Sequence, residues 1–408
     1  RIRIKDMKFK DFITENKNTH MTHIEDKVIY GGVNGTRQAI NALRELRDVL
    51  GGKGKPKLST KWDGAPAIFC GTDPTDGKFF VAKKGIFNKN AKVYKTPADI
   101  DDDTSGDLNA KLKDALKYLP ALGIKGVIQG DFLFGKGDLS KQKIEGKKYI
   151  TFHPNTIVYA VPVEQAKELT SAKIGIVWHT TYTGKTFETM KASYGVNVKQ
   201  LKRSKNVWSQ DAMLRSVDAT LTEKETGEIN EYLTKIGKLF NQIAGSTLRT
   251  LEGDQALAGL IETYGNTKVR KGQVPGDSKA HAQGLINWIQ DKYQKEIDSR
   301  KTEKGKGVQK GKRDEILKFF SPQNRASLIK MFELQKLIVL AKLKLINKLN
   351  SLKKIDTFVK TRQGFKVTSE EGYVAIDKLG GDAVKLVDRM EFSYNNFSPD
   401  ILKGWDKS

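Results

Sequence analysis

The order of hydrophobic patterns along the 408 residues is the feature that most constrains the fold. Short apolar runs between turn residues fill the segment from 65 to 183, for example Val127 to Phe134 and Thr156 to Val161, and they predict β-strands. From Gly184 to Ile355 apolar residues recur at helical spacing instead. Strand-like runs then return. The sequence therefore predicts an α+β fold in which a large α-helical insertion interrupts a mainly antiparallel core.

These patterns also predict the domain organisation. The predicted segments are an N-terminal helical and lead-in segment (1–55), the first part of the core (56–183), the helical insertion (184–355) and the second part of the core (356–408). Within the insertion, Arg300 to Arg313 is rich in lysine and glycine, which predicts a flexible basic loop. Such a loop contacts phosphates or serves as a solvated linker.

The charge balance favours a polyanionic partner. The chain has 72 Lys and Arg against 48 Asp and Glu, a formal net charge of +24. A positive field of this size attracts nucleic acid, although it does not separate DNA from RNA, and the alternative is a basic protein with scattered lysines. The helical insertion, with its basic residues, is the candidate nucleic-acid-binding domain.

The cysteine count and the apolar runs bear on the cellular compartment. The single cysteine, Cys70, excludes an internal disulfide framework and a cysteine-based zinc site, and it favours a reducing compartment. No run approaches the roughly 18 apolar residues that span a bilayer, and the charged first residues lack a secretory apolar region. We expect no membrane partner and a cytoplasmic location, in a host cytoplasm if the protein is phage-encoded.

The segment Lys61-Trp62-Asp63-Gly64 places a lysine on a turn between two predicted strands. A lysine attacks phosphorus only as the neutral amine, so its pKa must be lowered by neighbouring cations or by desolvation. Alone this short motif is weak. Four further segments follow it in order: Lys83-Lys84-Gly85, Val127 to Phe134 with Asp131, Glu371-Gly372-Tyr373, and Ala383 to Val387 with Lys385.

This ordered series resembles the motifs of the covalent nucleotidyltransferase superfamily, which contains ATP-dependent DNA ligases, RNA ligases and GTP-dependent capping enzymes. The resemblance implies an ATP-grasp-like ligase core, with ATP and Mg²⁺ or Mn²⁺ as cofactors. It implies that Lys61 forms the lysyl-nucleotide adduct, and that Lys61, Glu371 and Lys385 are catalytic. It also implies that Asp131, where the family usually has glutamate, and Glu371 hold the metal. The implied nucleotide site contains Lys61, Asp63, Lys84, Asp131, Tyr159, Glu371 and Lys385.

Two details of the resemblance concern the base and the last motif. The resemblance implies that Tyr159 stacks on the nucleotide base, with Phe152 as the alternative. The last motif has Val387 where the family usually has a second lysine, and Arg389 lies nearby as a substitute. The stretch from Lys385 to Ser393 is similar to the ending of phage-type RNA ligases.

Only Asp388 to Ser408 follow the last motif, which is too short for the oligonucleotide-binding barrel of DNA ligases and capping enzymes. The resemblance therefore implies an RNA ligase that seals 3′-OH and 5′-phosphate ends. The alternative within the class is an ATP-dependent DNA ligase. The alternative from another class is a non-catalytic nucleic-acid-binding or virion-associated protein on the same core.

Two other segments offer weaker candidates. Gly31 to Gly35 lies before a predicted helix, and a structural turn is favoured over a phosphate-binding turn because no known fingerprint fits. His20, His23, Glu25 and Asp26 are possible metal ligands, but a surface or packing role is favoured because no cysteine or second histidine pair is near.

Overall fold

The computed structural model describes residues 21–54, 57–214, 221–274, 276–353, 355–376 and 383–406. These residues form an α+β fold with several mainly antiparallel sheets and a helical block, which confirms the predicted α+β class. His20 lies outside the described residues. No helix among them is long and apolar enough to cross a membrane.

The strands and α-helices are numbered in chain order. The strands are β1 (Thr22–His23), β2 (Leu58–Lys61), β3 (Ala67–Thr72), β4 (Phe79–Ala82), β5 (Val127–Phe134), β6 (Ser140–Ile144), β7 (Lys147–Phe152), β8 (Ile157–Pro162), β9 (Ile174–Thr183), β10 (Lys191–Tyr194), β11 (Val207–Asp211), β12 (Asp356–Thr361), β13 (Gly364–Val367), β14 (Gly372–Ile376), β15 (Ala383–Leu386) and β16 (Ile401–Leu402). The α-helices are α1 (Lys27–Tyr30), α2 (Gly32–Leu50), α3 (Pro97–Asp101), α4 (Gly106–Tyr118), α5 (Lys167–Ser171), α6 (Glu223–Phe240), α7 (Gly245–Gly253), α8 (Gln255–Arg270), α9 (Ser278–Asp298), α10 (Glu303–Lys318), α11 (Pro322–Asn350) and α12 (Arg389–Phe397).

Two of the three sheets join strands from before and after the helical block. The first sheet has the order β1-β15-β14-β2, with β14 antiparallel to both neighbours and β1 parallel to β15. The third has the order β13-β12-β8-β7-β6, with β16 on β12. Because β2 pairs with β14 and β8 pairs with β12, the helical block lies in the chain between strands of the same two sheets.

The second sheet lies entirely before the helical block. Its order is β10-β9-β5-β3-β4, and β11 pairs with β9 in parallel. Strands β10 and β11 lie after residue 184, so the predicted start of the insertion at Gly184 is wrong. Backbone pairing holds residues 191 to 211 in the core, and the helical block begins at Glu223.

Helix α2, within the predicted N-terminal segment, is also part of the helical block. Buried residues of α2, such as Leu43, share one apolar core with Ile236 of α6, Leu248 of α7 and Leu334 of α11. Residues 32–50 are therefore a packed helix of this block, not a separate lead-in. Gly35 lets α1 approach α2 closely, because a Cβ there would lie 2.2 Å from the Lys27 carbonyl oxygen. The glycines from 31 to 35 thus lie at the turn from α1 into α2, which is the structural role favoured from the sequence.

The predicted loop from Arg300 to Arg313 is a helix instead, which corrects the sequence interpretation. Helix α10 begins after Thr302, whose Oγ1 accepts a hydrogen bond from the Gly305 amide at 3.1 Å. The negative charge of Glu303, in the first turn, interacts favourably with the positive end of the helix dipole. The cap and packing on α9 therefore outweigh the low helix propensity of its glycines.

Candidate active site

Lys61 lies where the first sheet passes to the second. It is the last residue of β2, and the chain then crosses to β3. Its register partner in β14 is Gly372, so the preceding residue, Glu371, comes to the same place. The Lys61 Nζ forms an ion pair with Glu371 Oε1, with the lysine side chain 27% exposed and the glutamate 10%. Strand pairing thus brings together two motifs that are far apart in sequence.

Asp131 of β5 lies directly against the turn that follows Lys61. A Cβ on Gly64 would be 2.6 Å from Asp131 Cβ and 3.0 Å from the Phe132 carbonyl oxygen. The Ala65 amide donates to that oxygen at 2.9 Å, and the Phe132 amide donates to the Pro66 carbonyl at 3.0 Å. The glycine is therefore needed for this close approach, which explains its place in the motif.

Asp63 is buried and its carboxylate faces the third sheet. Its Oδ1 accepts from Asn155 Nδ2 at 2.6 Å, and its Oδ2 accepts from the amides of Thr156 and Ile157 at 2.7 and 2.8 Å. Burial raises the pKa of Asp63, and these hydrogen bonds oppose the increase. Because its acceptors are engaged, Asp63 positions the Lys61 turn, whereas the sequence predicted a contact with the nucleotide.

Tyr159 and Phe152 are buried in the aromatic core beneath the same turn. The Tyr159 hydroxyl accepts a hydrogen bond from the Asp63 amide at 2.7 Å. Its ring stacks on Trp62 at 4.8 Å and on Phe152 at 5.3 Å between centroids. Tyr159 is 0% exposed and Phe152 1%, so neither predicted ring presents a face to a base in this structure. Both rings belong to the aromatic core on which the turn packs.

Lys385 lies on β15, one strand from Glu371. Its register partner is Val374 of β14, and the side chain is half-buried. Burial lowers the pKa of Lys385, and the neighbouring Lys61 charge lowers it further. Burial also raises the pKa of Glu371 to about 7, which the Lys61 charge opposes. Two lysines and one carboxylate therefore share a partly desolvated site.

Lys84 and Arg389 are the remaining residues that the sequence indicated for the site. Lys84 is exposed on a 3₁₀ turn just after β4, at the end of the second sheet where Ala67 pairs with Asp131. Arg389 is largely buried, with its guanidinium donating to Asp26 at 3.0 Å and to Asn266. Arg389 therefore does not replace the missing second lysine of the last motif, because its hydrogen bonds are made in the interior.

His179 of β9 is a further candidate beside Asp131. Its Nε2 lies 3.5 Å from Asp131 Oδ2, and its Nδ1 contacts Thr180 Oγ1 at 2.8 Å. It occupies an irregularity of the β5 and β9 pairing, where Gly130 pairs with Trp178 and Gln129 with Thr180. No local motif marks this position, and only the pairing of β5 with β9 brings the imidazole to Asp131.

The carboxylates of the site provide part of what a Mg²⁺ ion needs. The described part of the chain contains no group of three or more His, Cys, Asp or Glu arranged to hold a metal. However, Asp131 lies close enough to Glu371 to affect its pKa. Mg²⁺ is usually bound by one or two carboxylates together with substrate phosphates and water, so this pair matches the share of the ligands that a protein supplies.

The other acidic and histidine candidates form a buried charge network. Glu25 accepts from Lys342 Nζ at 2.9 Å with both carboxylate oxygens. Asp26 pairs with Arg389 at 3.0 Å. Burial lowers the pKa of His23 to about 3, so the imidazole is neutral. These residues have the favoured packing role, but inside the protein and not at its surface.

Comparison with known proteins gives one match. The model of a family of unknown function, DUF6267, matches residues 18–400, which is nearly the whole chain. Neither the curated proteins nor the solved structures gave a significant match.

Proposed function

Because the chain belongs to the DUF6267 family, whose function is unknown, we propose its activity from its own side chains. The proposed activity is that of a covalent nucleotidyltransferase, a polynucleotide ligase that uses ATP and forms a lysyl-AMP adduct on Lys61. An RNA ligase is the leading proposal within this class, and an ATP-dependent DNA ligase is the alternative.

The ion pair between Lys61 and Glu371 is the observation that carries the proposal. The motif series rests on sequence order alone, and coincidental matches would be scattered over the fold. Instead, the pairing of β2 with β14 and of β14 with β15 brings Lys61, Glu371 and Lys385 together. The close approach of Gly64 to Asp131 adds a fourth motif to the same place.

The side chains suit transfer of a nucleotidyl group. The Lys61 ammonium loses one proton to the Glu371 carboxylate, and the neutral Nζ then attacks the α-phosphorus. The bond from this phosphorus to the pyrophosphate oxygen breaks, and the second proton leaves with pyrophosphate. Lys385, one strand away, neutralises charge on the transferring phosphoryl group. Asp131, together with Glu371 while it is still ionised, would hold Mg²⁺ with the nucleotide phosphates, and the ion would add to that neutralisation.

A non-catalytic nucleic-acid-binding protein is the second candidate. Burial of Tyr159 and the engaged carboxylate of Asp63 favour it, because both remove predicted nucleotide contacts. The net charge of +24 is compatible with either candidate. Adduct formation separates them.

The test is incubation with ATP or GTP labelled at the α-phosphate, followed by a denaturing gel. We expect label from ATP on the wild-type protein and none on Lys61→Ala. Lys57→Ala is the matched control, since Lys57 is exposed and precedes the same strand, and it should be labelled normally. Label from GTP alone would indicate a capping-type enzyme. No label from either nucleotide, or full labelling of Lys61→Ala, would refute the proposal.

A further inference from the structure

Helix α10 is attached to the rest of the protein along one narrow face. It packs mainly on α9, and Gln309 is its only buried residue. The Gln309 amide is placed to donate to Glu296 Oε2 and to accept from Arg300 Nη2, each at 3.2 Å. Only Ile316 and Leu317, in its last turns, pack against the apolar core of the helical block. The first half of α10 therefore presents most of its circumference to solvent.

The exposed half of α10 is strongly basic. Residues 300–313 contain seven Lys and Arg and a single acidic residue, Glu303. Three of these cations have partners: Arg300 contacts Gln309, Lys306 pairs with Glu303, and Arg313 pairs with Asp314. The other four are exposed and make no ion pair with any residue that the structure describes: Lys301, Lys304, Lys310 and Lys312.

Gly307 and Gly311 lie on the same exposed half, one helical turn apart. A Cβ at either position would meet no atom within 4 Å, so the fold does not require glycine there. Glycine inside a helix lowers its stability relative to alanine. Both positions leave the helix backbone open between Lys304 and Lys312, so a partner can approach closely beside the cations.

We propose that the solvent-exposed side of α10 binds the sugar–phosphate backbone of a polynucleotide, with Lys304 near the middle of this side, Lys310 and Lys312 at its two edges, and Lys301 just before the helix. This inference rests on the proposed function for its choice of partner. A helix rises about 1.5 Å per residue, so Lys304 and Lys312 are roughly 12 Å apart along the axis. One strand of a duplex carries a phosphate about every 3.4 Å of axis, so this face spans three to four phosphates.

The experiment compares two full-length variants with the same loss of charge. The first is Lys301→Gln, Lys304→Gln, Lys310→Gln and Lys312→Gln combined. The matched control carries Lys141→Gln, Lys143→Gln, Lys147→Gln and Lys148→Gln, four exposed lysines of the hairpin formed by β6 and β7. The probes are a fluorescent 20-nucleotide RNA strand, its DNA counterpart and a nicked duplex, each titrated over a range of salt concentrations.

We expect the α10 variant to bind at least tenfold more weakly and the control to stay within twofold of wild type. The log-log salt slope on a single strand should flatten by roughly 0.7 for each lost phosphate contact, or about 3 for four contacts. An unchanged affinity and slope would overturn the proposal. So would an equal loss in the control, because net charge would then explain the binding.

A second variant tests the close approach to the helix. Gly307→Leu with Gly311→Leu adds side chains that meet no atom of the protein, so folding should be preserved. Weaker binding of all probes at an unchanged melting temperature is expected, and wild-type binding would show that no strand lies on this face. If the α10 lysine variant lost binding to anionic phospholipid vesicles but bound nucleic acid like the wild type, that result would also contradict the inference.

Labelling of Lys61 with ATP is measured on the same proteins. Wild-type labelling of the α10 variant with weakened binding supports the assignment of the two roles to different parts of the chain. If the wild-type protein takes no label but loses nucleic-acid binding in the α10 variant, the proposed enzymatic function fails and the binding surface stands. The two proposals are therefore tested separately.

Discussion

Replacement of Gly64 by alanine tests whether the contact between the Lys61 turn and Asp131 matters. The added Cβ would lie 2.6 Å from Asp131 Cβ, 3.0 Å from the Phe132 carbonyl oxygen and 3.2 Å from Leu133 Cδ2. Carbon atoms pack at about 3.5–4.0 Å, so the turn and β5 must separate by about 1 Å. Hydrogen bonds from Ala65 and Phe132 oppose this movement.

The magnitude follows from that displacement. Overpacking of this kind lowers the free energy of unfolding by about 1–3 kcal/mol. For 408 residues, an unfolding entropy of about 2.1 cal/mol/K per residue amounts to roughly 0.9 kcal/mol/K, so the melting temperature should fall by about 1–4 °C. A misplacement of about 1 Å between reacting groups can cost about 10²-fold in rate, and we expect Lys61 adduct formation to slow by that order.

The assay measures initial rates of adduct formation well below the melting temperature, together with thermal unfolding. Gly227→Ala is the matched control, because its Cβ would meet no atom within 4 Å on the helix α6. It should stabilise the protein by up to about 1 kcal/mol and leave the rate unchanged. Wild-type rate and melting temperature in Gly64→Ala would show that the close approach to Asp131 is not needed.

Three other changes have defined outcomes. Asp63→Asn keeps one oxygen for the two backbone donors but sets its amide NH2 against the Asn155 Nδ2 donor, so calorimetry should show a loss of about 1–3 kcal/mol and adduct yield should fall. Burial raises the pKa of Glu370 to about 7, so the folded protein holds a proton there that the unfolded chain loses, and the free energy of unfolding falls as pH rises from about 4.5 to 7. Glu370→Gln removes this titration. Relative to wild type, its free energy of unfolding should therefore be higher at pH 8 than at pH 4.5 by at most about 3 kcal/mol, measured by melts at both pH values. Lys342→Met leaves Glu25 buried without its ammonium partner and should cost about 3–5 kcal/mol in denaturant unfolding, whereas a double variant that also replaces Glu25 with Gln should recover part of this loss.

Periodicity predicted the elements where local pattern and packing agree. The strand from Val127 to Phe134 has the predicted bounds, and the helix predicted after Gly35 is α2. The helix α10 was missed because its glycines suggest a loop, while the Thr302 cap and the contact of Gln309 with α9 stabilise a helix. Strands β10 and β11 were assigned to the insertion because short strands at a sheet edge have little apolar pattern of their own.

In the candidate site, the sequence predicted which residues come together but not how each side chain is oriented. The motif order indicated Lys61, Asp131, Glu371 and Lys385, and their strands are joined by pairing or by the turn at Gly64. The orientation of individual side chains depends on contacts that spacing does not encode. Asp63 faces the amides of residues 156 and 157, which no sequence pattern links to it.

The buried charge network connects the helical block to β15, the strand that carries Lys385. His23 of β1 is the register partner of Lys385. The next two acidic residues, Glu25 and Asp26, bind Lys342 of α11 and Arg389, which begins α12. Because an unpaired buried charge is far more costly than a paired one, these contacts favour a single arrangement of the block beside β15. A polynucleotide bound to the helical block would therefore meet Lys385 in a fixed geometry, since the segment that binds the block, residues 23–26, also pairs with the strand of Lys385.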